Sequence, residues 1–293
     1  MISARIFVRT YGKIIADMTE PVDRASQSVQ VLLRLEYQRR LHERLPMPRF
    51  SDVEFHAFSQ NGEDGILLLL FSVLGTVNRV AVEICAGSGI ECNAANLVIN
   101  HGWRALMVDG DPDQIATGTK FYREHRNTRY SPPTLVSAWL TAESLNDLVR
   151  KHGFAGEIDL FSLDVDGNDY WFWRALDAVQ PRVVVVEFNA LLGPERALTM
   201  PYDAQYRFDP NDQPPQCGAS LSAFAKLGRE KGYRLVGVHS LGFNAFFVRD
   251  GLGEEAFPEV TPAQCFAQVE RLRDFSPAWL DAMYRNARKW QEV

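Results

Sequence analysis

Two β-branched runs near the end of the chain, Tyr233–His239 and Asn244–Arg249, are separated only by Ser240-Leu241-Gly242-Phe243. A parallel crossover needs a dozen or more residues, so these two strands must pair antiparallel. Five similar runs precede them: Arg79–Cys85, Arg104–Asp109, Thr134–Ala138, Ile158–Asp164 and Arg182–Phe188. Helical stretches near Asn93–His101, Pro112–His125, Ala142–His152 and Asp169–Ala178 lie between those five, each long enough for a right-handed crossover. A further helix near Ser220–Lys231 leads into the sixth run. The pattern therefore predicts an open, mostly parallel α/β sheet closed by an antiparallel last strand. A classical dinucleotide domain ends instead in a sixth parallel strand.

The chain has 293 residues, enough for one large α/β domain with decorations. Residues 1–50 are expected to form a helical arm: Ile6, Phe7, Ile14, Ile15 and Met18 recur at helical spacing, and Val22–Arg44 follows with Leu32, Leu33 and Leu35 before Pro46 and Pro48. Arg5, Arg9 and Lys13 sit four apart, which suits peripheral contact with an anionic membrane. Packing on its own domain or in a homodimer is the favoured reading. The sheet domain spans 51–250. Within it, 189–218 is rich in Pro, Asp, Gln and Tyr without a period, which predicts a lid or binding loop. The tail 251–293 has helical spacing at Phe266, Val269 and Leu272 and again at Trp279, Leu280 and Met283.

Lys plus Arg is 31 against 37 for Asp plus Glu, a net charge of −6, which argues against a nucleic-acid partner. Cys85, Cys92, Cys217 and Cys265 form no C-x-x-C pair, so a disulfide scaffold and a zinc site are excluded and a cytoplasmic location is expected. The longest apolar run, Ile66 to Leu74, is about nine residues and too short to span a bilayer.

Chemistry-bearing residues gather at the carboxyl ends of the expected strands, where open α/β sheets bind ligands. The first strand runs into Glu83-Ile84-Cys85-Ala86-Gly87-Ser88-Gly89, a small-residue turn, and the second ends in Asp109, placed to accept ribose hydroxyls of an adenosine ligand. Asp164, Asp166 and Asp169 fall within six residues after the fourth strand, and Glu187 and Asn189 end the fifth. Like charges so close favour a cationic ligand, and these oxygens suit Mg²⁺ or another divalent cation held by Asp164, Glu187 and Asn189. An EF-hand is excluded, because Asp169 and Ala175 stand where its Gly and Glu belong. His239 ends the sixth strand on the expected acceptor side.

The segment Phe58-Ser59-Gln60-Asn61-Gly62-Glu63-Asp64-Gly65-Ile66, the turn Glu83–Gly89, Val108-Asp109-Gly110-Asp111-Pro112 and Asp164–Tyr170 resemble the FkbM-type family of S-adenosylmethionine-dependent methyltransferases over roughly residues 55–250. The resemblance implies a seven-stranded class I methyltransferase (Rossmann-like) sheet and methylation of sugar or secondary-metabolite hydroxyls. It also implies that Glu83, Ala86, Gly87 and Gly89 line the methionine part of the cofactor, that Asp109 holds its ribose, and that Ser137 and Ala138 lie near the adenine. Ser59, Gln60 and Glu63 would close over its amino-acid end. Cys85 departs from the family, which usually has glycine there. The expected activity is O-methylation of a small-molecule or glycan hydroxyl, with Asp164, Asp166 and His239 as candidate catalytic groups. The alternatives are an NAD-dependent or nucleotide-sugar oxidoreductase and a non-catalytic methyltransferase-like binding protein.

Overall fold

The computed structural model describes residues 25–209, 211, 216–269, 281 and 289–293. Its centre is a seven-stranded sheet built from β1 (Val80–Ile84), β2 (Arg104–Asp109), β3 (Thr134–Ser137), β4 (Gly156–Leu163), β5 (Val179–Glu187), β7 (Tyr233–Val238) and β8 (Asn244–Arg249). The order is β3-β2-β1-β4-β5-β8-β7. The first five strands are parallel, and β8 pairs antiparallel with both β5 and β7. The short Ser240–Phe243 connection thus forces the reversal expected of it, and β8, the last strand of this sheet in sequence, slips between β5 and β7. This is the class I methyltransferase sheet.

Both faces are covered, which is why the strands read as continuous apolar runs. Val80, Val82 and Ile84 of β1 point into a core shared with α5 (Leu145–Lys151), α6 (Asp169–Ala175) and α7 (Leu221–Glu230). Ala81 and Met107 face the other core, with α2 (Glu63–Leu74), α3 (Ala95–His101) and Tyr122 of α4 (Pro112–Glu124). Helix α2 is buried on nearly all sides. The Ile66–Leu74 run is therefore an internal helix; among the described residues no helix is long and apolar enough to cross a membrane. Gly65 permits this burial, because a Cβ there would lie 1.9 Å from the Val53 carbonyl oxygen.

Residues 25–42 form α1. It joins the body through a polar seam as well as through Leu33 and Tyr37. Gln30 bonds Asn96 and His101 of α3, and Gln27 donates to Asn100. The expected apolar face is only partly used, since Leu32 and Leu35 are exposed. Residues 1–24, including the spacing at Ile6–Met18 and the Arg5, Arg9, Lys13 row, lie outside the described residues.

Most of the expected helical extension, residues 270–280 and 282–288, lies outside the described residues. Only α8 (Pro262–Phe266) is helical in 251–269, and Gln291–Glu292 form β9, which pairs with β6 (Leu198–Thr199) inside the long loop. The spacing at Leu272, Trp279, Leu280 and Met283 lies outside the described residues.

Candidate active site

After β1 the backbone enters the left-handed region three times in five residues: Cys85 at φ +59°, Gly87 at +56° and Gly89 at +71°. Cys85 thus occupies a conformation that favours glycine. The carboxylate of Asp109 organises this turn, accepting from the Gly87 N–H at 2.8 Å and from the Asp111 N–H at 2.8 Å. The Ala86 N–H donates to the Val108 carbonyl oxygen. Asp111 in turn caps α4 by accepting from Asp113 and Gln114.

Above the carboxyl ends of β1, β2, β4 and β5 lies a cleft of about 930 Å³. Gln60, Gly87, Asp109, Asp164, Asp166 and Glu187 all line it. A narrow, mostly apolar slot opens beside it, walled by Val108, Ala138, Trp139, Leu140 and Phe172, with Asp109 at the junction. The register of β4 on β5 pairs Leu163 with Val186, which puts Asp164 beside Glu187. One oxygen each from Asp164, Asp166 and Glu187 lie within 4.8 Å of one another. Beneath them Asp169 accepts from the Val165 and Gly167 N–H groups.

This crowding sets the electrostatics. Burial, then the Asp166 charge, pushes Asp164 up to about 6. Burial and then the Asp164 charge push Glu187 well above the usual carboxylate range. Asp169 is pushed up to about 8 by burial and then by Asp164. The floor of the cleft is therefore a set of carboxyls that retain protons into the neutral range until a positive charge joins them.

The described part of the 189–218 loop covers one side of the cleft and is fastened down. Asn168 donates to the Asp203 carbonyl oxygen and accepts from the Asp203 N–H. Trp171 donates to the Met200 carbonyl oxygen, and Trp139 donates to that of Ala204. Gly167 leaves room for Tyr206, whose ring a Cβ would meet at 2.4 Å. Beyond Tyr206, Arg207 lies over the Trp139 ring at 4.4 Å, and Phe208 lines the cleft.

Several expected site residues make hydrogen bonds within the fold. Glu83 is buried and accepts from the Asn93 and Ala94 N–H groups and the Ser162 hydroxyl. Glu63 accepts from the Asn61 and Gly62 N–H groups and from the Asn244 amide, and the Ser59 hydroxyl accepts from the Asp64 N–H. Gly89 faces inward, with Met107 2.8 Å from where a Cβ would sit. Ala86 and Ser137 flank the cleft without lining it. Asn189 accepts from the Leu191 N–H and donates to the Cys217 carbonyl oxygen, and Asp166 lies beside Asp164 and Glu187. His239 is buried: its Nδ1 accepts from the Leu241 N–H, which leaves Nε2–H to donate to the Asn61 carbonyl oxygen at 3.0 Å. It bolts the β7 end to the 54–62 loop and does not face the cleft. Arg207, Phe208 and Phe243 line the cleft without having been singled out in the sequence; an aromatic-rich, aperiodic loop was the signal available for the first two.

No protein-family model matches the chain, and no curated protein matches it in sequence. Among solved structures it is similar to the SAH-bound N-terminal domain of EvdMO1, at 13% identity and TM-score 0.43 over 73% of this chain and 94% of that one. The magnesium protoporphyrin IX methyltransferase of Synechocystis PCC 6803 aligns at 10% identity and TM-score 0.42, covering 64% and 78%. The CcbJ methyltransferase of Streptomyces caelestis aligns at 15% and 0.39, covering 59% and 84%.

Proposed function

We propose that the protein is an S-adenosylmethionine-dependent O-methyltransferase acting on a hydroxyl of a sugar or other small polar molecule. The observation that carries this reading is the junction of three features around Asp109: a glycine turn pulled onto its carboxylate, an apolar slot beside it, and an acidic floor one strand further on. The residues fit the cofactor: Val108, Ala138, Trp139 and Leu140 offer flat apolar walls for an adenine, and Asp109 offers free lone pairs to ribose hydroxyls. The Gly87 backbone and Gln60 lie beside the acidic floor, where a cationic group is favoured. When bound, S-adenosylmethionine supplies an electrophilic methyl group. The resemblance to the FkbM-type family supports a hydroxyl acceptor.

The chain's own work is to hold the acceptor oxygen in line, exclude water and take its proton. Tyr206 and Phe208 close the wet side of the cleft, an amphipathic aromatic surface suited to a sugar face. Asp166 is the base, since it is the most exposed member of the acidic group and partial desolvation raises its carboxyl above the usual value. A second reading rests on the same oxygens: three carboxylates within 4.8 Å of one another fit a hard divalent cation, which would lower the pKa of an acceptor hydroxyl. Calorimetric titration of the intact chain with S-adenosylmethionine, S-adenosylhomocysteine and NAD tests the cofactor. Binding of the first two and not the third is expected; NAD alone binding would replace this reading with an oxidoreductase, and no binding of any would leave a binding protein of this fold.

A further inference from the structure

At the opposite edge of the sheet, where β1 and β2 begin, helices α1, α2 and α3 enclose a separate cavity of about 310 Å³ whose wall contains no Asp or Glu. Arg34 of α1 and Arg79 of the loop ahead of β1 both line it, with His101 at the end of α3. The acids on and just after α1 are engaged elsewhere: Glu36 pairs with Arg39 and Arg40, and Glu43 with Arg39. Neither Arg34 nor Arg79 has a carboxylate partner among the described residues. Two arginines that line one cavity with no carboxylate among its described lining residues make it locally positive in a chain of net charge −6. Their field is felt inside, because burial and then the Arg34 and Arg79 charges push the His101 imidazole down to about 4.

The position of Arg79 is built rather than incidental. Its backbone sits at φ +55°, which costs a non-glycine residue roughly 1–2 kcal/mol. A buried carboxylate imposes this conformation: Asp159 accepts from the N–H groups of Val77, Asn78 and Arg79 at 2.9, 3.0 and 2.6 Å, and is itself paired with Arg182 at 3.3 Å. The other walls are also fixed. His101 Nε2 meets Gln30 Oε1 at 2.7 Å, and Phe71 packs edge-on against Trp103 at 4.7 Å between ring centroids. The cavity thus combines two arginines, one of them on a backbone held by Asp159, with an aromatic face at Phe71 and Trp103.

We infer that this cavity is a second ligand site, which takes a small phosphomonoester whose dianionic head meets Arg34 and Arg79 and whose apolar or planar body rests on Phe71 and Trp103. Two guanidiniums match the charge of a phosphate dianion and its acceptor geometry. The site lies across the sheet from the acidic cleft and does not depend on the activity proposed there.

The test titrates the intact chain with phenyl phosphate, inorganic phosphate and phenol by calorimetry, alongside Arg34→Gln and Arg79→Gly. Phenyl phosphate is expected to saturate at millimolar concentration or below, inorganic phosphate to bind more weakly and phenol not at all. Each substitution is expected to weaken phenyl phosphate binding about tenfold or more. Arg79→Gly removes the side chain from a backbone position that suits glycine, so its melting temperature should hold or rise, which separates loss of the site from loss of the fold. In the same titration the His101 ring, followed by NMR, should titrate at a higher pH once phosphate offsets the two arginines, the charged groups that face it from α1 and from the loop ahead of β1. Phenyl phosphate that fails to saturate, binds both variants as well as the parent, or binds no better than phenol would overturn the proposal.

Discussion

Cys85 and Asp109 form one device, a turn that must be left-handed and a carboxylate that holds it there. The sequence departs from the glycine usual in the resembled family at a position where the backbone is left-handed. Replacing Cys85 by Gly relieves roughly 1–2 kcal/mol of left-handed strain and returns roughly 0.4–1 kcal/mol through the freer unfolded chain. Cys85→Gly should therefore stabilise the protein by about 0.5–1 kcal/mol, read as a higher urea midpoint at unchanged slope. A lower midpoint would mean that the thiol makes a contact worth more than the strain. Asp109→Asn keeps an acceptor for the turn and removes the charge. If the carboxylate holds ribose hydroxyls, that variant should bind S-adenosylhomocysteine at least about tenfold more weakly, since hydrogen bonds to a charged group contribute on the order of 1.5–3 kcal/mol. Unchanged affinity in calorimetry would remove Asp109 from the cofactor site.

The long loop shows how an element without a period still becomes ordered. It is held at Asn168, Trp171 and Gly167 on one side and, through β6, by the last residues of the chain. Gln216 also donates to the Lys289 carbonyl oxygen. Removing residues 289–293 should free β6 and expose 195–216 to limited proteolysis while leaving the sheet folded; equal protease resistance in the truncated chain would show that the α6 contacts suffice. None of this was readable in the sequence, because a two-residue strand pairing across some ninety positions leaves no local pattern. The seven sheet strands were readable, since their apolar runs and crossover lengths follow from burial on both faces. The expected site residues divided along a physical line. Asp109, Asp164 and Glu187 face the cleft, whereas Glu83, Glu63 and His239 hold neighbouring N–H and carbonyl groups. A sequence shows that an acid ends a strand but not whether its nearest donor is a ligand or its own backbone.

At the scale of the whole molecule the acidic floor becomes a term in stability. In metal-free protein the Asp164 carboxyl holds its proton up to about 6 and Glu187 higher than usual, whereas in the unfolded chain both are released near pH 4. Between those values the native state binds more protons than the unfolded one, so stability falls as pH rises from about 4 through about 6, and the loss persists above that range. A cation held only by the folded, ionised group reverses the loss, by about 2.7 kcal/mol at a hundredfold excess over its dissociation constant. EDTA-treated protein should therefore melt at a lower temperature at pH 8 than at pH 5, by the contribution of this group. Mg²⁺ or Mn²⁺ should raise the melting temperature more at pH 8 than at pH 5, and Asp164→Asn with Glu187→Gln should flatten the slope and abolish the metal response. The background titration of other groups is common to both proteins, so the comparison isolates the floor. A pH slope that the double substitution flattens but that neither cation moves would retire the metal reading and leave Asp166 as a metal-free base, an outcome that full turnover of an identified acceptor in EDTA would show independently.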